Sequence, residues 1–205
     1  MVIRISAAGG CTVEDTVIQA LYQAVVTPHT VLENPKGHVL IQYGWLFIIV
    51  RWASYSLIFL FRDYHGSWKP FVPPPCGLTV NTYAFLQTYF SVVFGIVLMG
   101  LMSVALSSCL RLIGKKISTV RILNILGVTF FLPWVILQGV DFLVLYTIGW
   151  VSSVIIPLHT AVLLWESGAA VEIMSETCTL TWLEKILSIA VLTVVWILLC
   201  AALWR

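Results

Sequence analysis

Four polar side chains stand out inside long, mainly apolar stretches: Arg51, Gln138, Asp141 and His159. Asp141 and His159 can exchange a proton, and all four can form hydrogen bonds. Each also costs free energy in an apolar setting unless something compensates it, from about 2.5 kcal/mol upward for a charge at bilayer depth. Helical rise gives their depth. Arg51 comes 12 residues after Val39, about 18 Å along a helix, and Asp141 comes 19 residues after Ile122, about 28 Å from the other end of its stretch. Gln138 lies one turn before Asp141 on about the same face. His159 lies nine residues after Trp150, about 14 Å in. The four are expected to share one polar layer, with Arg51 and Asp141 paired. Two chemistries fit such a layer. One is a polar site or narrow permeation path in which Asp141 or His159 exchanges a proton. The other is an ion pair that neutralises itself and fixes helix packing. The second is the commoner use of polar groups between apolar helices.

Other chemistry finds no support in the residue pattern. The five cysteines, Cys11, Cys76, Cys109, Cys178 and Cys200, include no C-x-x-C pair. His29, His38 and His65 lie in or near loops without zinc-ligand spacing. There is no nucleophile elbow, Walker A loop or dinucleotide fingerprint. No catalytic residue, metal or cofactor is expected, and the chain reads as non-enzymatic.

Composition explains what must position the four residues. Of 205 residues, 60% are hydrophobic and 10% charged, with a mean hydropathy of +1.00. A water-soluble domain of this size lacks the interior to hide so much apolar surface, and its exterior needs polar cover. That excludes a soluble enzyme, a disordered chain and a nucleic-acid binder. It leaves a protein surrounded by lipid. Five spans are expected, at about 39–61, 83–110, 122–146, 149–165 and 186–204, with a tight turn near Gly149 between the third and fourth. In hydrocarbon each backbone group must bond within its own segment, and period-two alternation is absent, so the spans are helices. The fold class is therefore all-α, an integral membrane bundle of five helices. Pro133 and Pro157 are expected to bend the third and fourth.

The ends of the spans carry the charge. Arg111, Lys115, Lys116 and Arg121 form the strongest basic cluster, between spans two and three, and belong in the cytoplasm by the positive-inside rule. Five spans then put seven cations inside and three outside, with Arg51 uncounted. The N-terminus is cytoplasmic and the C-terminus lies on the opposite side. The segment Trp165 to Glu184, with Glu166, Glu172, Glu176 and Glu184, is placed at the inner surface, facing that basic loop or solvent. Tryptophans 45, 68, 150, 165, 182 and 204 fall near the expected interfaces.

Residues 1–38 form a separate cytoplasmic segment, ahead of a transmembrane domain at 39–205. Within it Thr12 and Asp15 suggest a helix start, and Val13, Val17, Ala20, Leu21 and Ala24 recur at helical spacing up to Pro28. This short amphipathic helix is suited to the membrane surface or to the underside of the bundle. In the outer loop Pro73-Pro74-Pro75 makes a stiff extended run. Small residues four apart, Ser91/Gly95 and Ser103/Ser107, permit close approach of another helix to span two.

This layout resembles the YIP domain family, the Ypt/Rab-interacting membrane proteins. The stretches carrying the likeness are ALYQAVVTPHTVLENPKG at 20–37, SSCLRLIGKKISTVRILNILGVTFFLP at 107–133 and the last 45 residues. Pro28 stands where the family has a proline before the first span, Gly114-Lys115-Lys116 where it has a basic glycine loop, and Gly127 and Pro133 where its third span has Gly and Pro. The Asp-Leu-Tyr-Gly-Pro signature of eukaryotic members is absent, and Val128 follows Gly127 where they have Tyr. The resemblance is thus closer to prokaryotic members. It implies a five-pass protein acting through helix packing, self-association or a membrane-protein partner. The alternatives are a small channel or transporter using the polar layer, or an accessory subunit of a larger membrane complex. Expected partners are the lipid bilayer and a second copy or another membrane protein, with no nucleic acid.

Overall fold

A computed structural model describes residues 13–33, 35–64, 74, 77–147 and 152–203. The regular structure among them is helical throughout. In order these are α1 (Val13–Val26), a 3-10 turn (Pro28–Thr30), α2 (Pro35–Gln42), α3 (Gly44–Tyr64), α4 (Val80–Leu112), α5 (Thr119–Thr129), α6 (Leu132–Thr147), α7 (Ser152–Cys178) and α8 (Trp182–Leu203). Helices α3, α4, α7 and α8 are each long and apolar enough to cross a bilayer. Helices α5 and α6 meet at a 45° bend and make a fifth if counted as one span.

The surface is apolar, unlike that of a soluble bundle, and the interior holds polar residues among its apolar ones. Val93, Ile96, Val97, Leu101 and Val104 of α4 are exposed, while Ser91, Ser103 and Ser107 of the same helix are buried. The hydroxyls inside bond back to helix carbonyls, Ser103 to Met99 at 2.7 Å, Thr129 to Ile125 at 3.0 Å and Ser188 to Glu184 at 2.7 Å. This satisfies them where water does not reach. An apolar exterior, with the polar groups turned inward and bonded internally, is the arrangement that hydrocarbon favours. The small stripe on α4 turns inward, and Gly95 receives the indole of Trp52 from α3.

Helix ends follow from local sequence. Thr79 caps α4 by accepting from the Thr82 amide, and Ser118 caps α5 by accepting from the Arg121 amide, each at 3.2 Å. Helix α4 stops at Gly114, whose φ of +80° suits a residue without Cβ. The Lys115 amide reaches the Leu110 carbonyl at 2.8 Å, and the Gly114 amide reaches that of Arg111 at 3.0 Å. This crossed pair is a Schellman stop. Thr181 and Glu184 form a reciprocal capping box at the start of α8, at 2.7 and 3.4 Å.

Several boundaries differ from those the sequence suggests. The stretch 39–61 is divided, with α2 ending at Gln42 and α3 starting at Gly44. The stretch 122–146 is broken at Phe130–Phe131. Pro133, the second residue of α6, has no N–H to return to the Thr129 carbonyl, which favours a fresh start there. Pro157 lies inside α7, which continues through it. The largest difference is at 149–165. Helix α7 runs on to Cys178, because the polar Trp165–Gly168 stretch does not leave the bundle: Glu166, Ser167, Ala170, Val171, Ile173 and Met174 are all buried.

Helix α1 packs against α5, α6 and α7. It buries Ala20, Leu21, Ala24 and Val25, and the Trp165 indole donates to the Val25 carbonyl at 3.1 Å. The Thr12 cap, the turn near Gly149, most of the triple-proline run and Trp68, Trp150 and Trp204 lie outside the described residues.

Candidate functional site

Helix α3 presents Ile48, Arg51, Trp52 and Tyr55 at intervals of three and four residues, one face of a helix directed into the bundle. Close approach of α5 brings its far end to this face. Gly44, the first residue of α3, and Gly127, in the last turn of α5, stand opposite one another, and a Cβ on Gly127 would overlap the Gly44 backbone. The glycines therefore let α5 lie against α3 with nothing between the backbones. One turn further along, α5 ends and leaves the Phe130 carbonyl without its helical partner.

Arg51 takes that carbonyl. Its Nη1 donates to Phe130 O at 2.6 Å and lies 3.5 Å from Glu166 Oε1 on α7. The short contact is the bond to the carbonyl; the carboxylate at 3.5 Å acts mainly as a countercharge. A cation at the C-terminus of a helix also interacts favourably with its dipole. Both charged side chains are almost wholly buried, at 3% and 2% exposure. The guanidinium carbon lies 5.1 Å from the centre of Trp134, 5.5 Å from Phe130 and 5.9 Å from Trp52, so aromatic faces enclose it. The Tyr55 ring lies tilted against Trp134 with centroids 4.0 Å apart, and its hydroxyl accepts the indole N–H at 3.0 Å.

The expected Arg51–Asp141 pair does not form. Asp141 pairs instead with His159, Oδ2 to Nε2 at 3.0 Å, between α6 and α7. The other ring nitrogen, Nδ1, lies 2.8 Å from the Ile155 carbonyl and can only donate to it. Two states satisfy this geometry: an imidazolium beside a carboxylate, or a neutral imidazole beside a protonated acid. Both hold a single proton between the two side chains and have no net charge. Gln138 lies between the two pairs, its Oε1 3.0 Å from the Ser54 hydroxyl, which also sits 2.6 Å from the Arg51 carbonyl.

The polar residues thus form a ladder on two levels. Glu166 and His159 are seven residues apart on α7, about 10 Å. Reading span four as ending at Trp165 puts Glu166 at the surface. The continuation of α7 buries it and makes it the partner of Arg51. The seven-residue spacing from His159 was the available signal, since it sets both residues on one face. The Phe130 carbonyl and Ser54 had no comparable signal. Among the described residues no group of three His, Cys, Asp or Glu is arranged to hold a metal ion.

A second polar contact mends the other helix break. Asn124 of α5 accepts the Trp45 amide at 3.2 Å and donates to the Gln42 carbonyl at 3.3 Å, across the junction of α2 and α3.

At the end of the molecule bearing the basic loop, Lys115 donates to the Thr179 carbonyl at 2.7 Å and lies 3.3 Å from Glu184. Lys185 pairs with Glu172 at 2.6 Å. The acidic residues of the α7–α8 junction therefore do meet the basic loop, through Glu184, while Glu166 does not take part. Arg111 and Lys116 line an open recess beside Lys115.

No protein-family model matches the chain, and no curated protein or solved structure shows a significant match.

Proposed function

We propose that this is a five-span, non-enzymatic membrane protein of the YIP type, with α5 and α6 forming one broken span. Its N-terminus is cytoplasmic and its C-terminus lies on the other side. It works through helix packing and association with a second copy or another membrane protein. One observation carries this reading: Arg51, Glu166 and the Phe130 carbonyl engage one another inside a wall of Trp52, Phe130 and Trp134. Groups used in this way hold helices together. A conducting path would keep them available to a passing ion.

Copurification from membranes in mild detergent, with mass spectrometry of what remains bound, is the direct test. A stoichiometric partner or a stable oligomer is expected. A protein that stays monomeric and alone at every detergent concentration contradicts the proposal. A large, fixed set of partners marks it as an accessory subunit. The orientation is checked by tagging both ends, which must be reached from opposite sides.

The Asp141–His159 pair favours a second reading, a small proton-linked transporter. Unlike Arg51 and Glu166, these side chains retain 12% and 20% exposure and share one proton. On this reading Asp141→Asn abolishes proton flux in liposomes while the protein stays folded. Unchanged flux removes transport from consideration.

A further inference from the structure

The loop from α4 to α5 holds a surplus of positive charge that the fold does not neutralise. An open recess of about 460 Å³ is lined by Arg111, Gly114, Lys115, Lys116, Ile117 and Ser118. Its shape is fixed from both sides. The Schellman stop at Gly114 turns the chain, and the Ser107 hydroxyl holds the far side by donating to the Ile117 carbonyl at 3.3 Å. Of the lining cations Lys115 is occupied by Glu184 and the Thr179 carbonyl. Among the described residues no carboxylate lies within ion-pair distance of Arg111, Lys116 or the neighbouring Arg121. Glu172 is engaged by Lys185.

The surroundings identify the anion. Leu112, next to Arg111, is 88% exposed and Val120 is 67% exposed. Trp182 and Leu183, at the start of α8 beside Glu184, are 72% and 71% exposed. A free phosphate needs cations alone. Exposed apolar and indole side chains flanking cations suit a molecule with an anionic head and an apolar tail.

We infer that this recess binds a phosphate-bearing anion, and that the anion is the headgroup of an acidic phospholipid whose chains lie along Leu112, Val120 and Trp182. The inference rests on the basic end lying at a membrane surface. It does not depend on the packing role of the Arg51 cluster.

The test uses the full chain in mild detergent, with native mass spectrometry of phosphatidylglycerol and phosphatidylcholine of matched acyl chains. Phosphatidylglycerol is expected to be retained in preference. Arg111→Gln with Lys116→Gln lowers its affinity about 25-fold, at roughly fivefold per surface cation, and leaves phosphatidylcholine unchanged. Arg111→Lys with Lys116→Arg keeps the preference, which separates charge from misfolding. Lys36→Gln with Lys185→Gln removes two cations outside the recess and leaves the preference intact. Equal retention of the two lipids by the unaltered protein overturns the inference, as does an equal loss in both charge-removing pairs. Inorganic phosphate that displaces the lipid as well as soluble glycerophosphoglycerol does, while the acyl chains add no affinity, assigns a free anion and overturns the lipid. Reconstitution of the same preparation into nanodiscs shows independently that the protein is embedded in a bilayer.

Discussion

The α2–α3 junction and the α5–α6 break are two interruptions of the same kind, mended by different means. At the first, a neutral Asn124 accepts one amide and donates to one carbonyl in an exposed place. At the second, a cation closes on a single carbonyl in the buried interior, with a carboxylate and three aromatic rings around it. The repair is also reciprocal: α5 supplies the side chain for the break before α3, and α3 supplies the one for the break after α5. Depth accounts for the difference in means. Near an end, water and headgroups can satisfy a loose carbonyl, and two ordinary hydrogen bonds suffice. In the interior nothing else is available, and a charged donor compensates for a larger penalty while bringing its own need for a countercharge.

Removing one member of the inner cluster is the most severe way to break this comparison. Arg51→Met with Glu166 intact leaves a buried carboxylate and an unbonded carbonyl, and is expected to destabilise the fold by about 3–5 kcal/mol. Unfolding in bicelles with increasing denaturant measures it. Arg51→Met with Glu166→Leu removes both charges and should recover about half of that loss, leaving the carbonyl as a cost of about 1–3 kcal/mol. If the double variant is no better than the single one, Glu166 is not the countercharge.

The next effect tests the close approach on which both repairs depend. Gly127→Ala places a methyl group against the Gly44 backbone. The two helices must separate, at about 1–3 kcal/mol. Both junctions should loosen together, read as faster hydrogen exchange at the Trp45 amide and at the Trp134 indole N–H. Exchange that changes at only one of them would mean that the repairs are independent.

Asn124→Ala should cost about 1 kcal/mol, as expected for neutral hydrogen bonds near an end. A loss as large as that of Arg51→Met would erase the distinction between the two sites. The smallest effect belongs to Lys185→Gln. Its partner Glu172 is partly exposed, and such pairs contribute about 0.2–1 kcal/mol, less in high salt. A salt-independent loss there would place that end of α7 deeper than its exposure indicates.

The sequence makes the helical class and the exceptional standing of Arg51, Asp141 and His159 plain, because polar residues are conspicuous against an apolar background. It makes the pairing less plain. Asp141 attracts attention as the sole acid in a long apolar run, so it presents itself as the partner of Arg51. Glu166 sits beside Trp165 and before Ser167 and Gly168, a combination that looks like the exit from a membrane. Only the buried face formed by Ala170, Ile173 and Met174 shows that the helix continues. The carbonyl of Phe130 belongs to the backbone, and no residue type announces it. Pro133 marks the neighbourhood of the break, but which helix closes it depends on Gly44 lying against Gly127, a tertiary fact with no local trace.

The spacing of Arg51 from its partners has a consequence for how the chain is made. Phe130 follows Arg51 by 79 positions and Glu166 by 115. At ribosomal speeds of about 5–20 residues per second, the guanidinium emerges roughly 6–23 s before its counterion. A span released sideways into lipid during that interval would carry an uncompensated cation at about 2.5–3.5 kcal/mol. The nascent α3 is therefore expected to linger at the insertion machinery until α5 and α7 arrive, which makes the assembly of this bundle a late and concerted event.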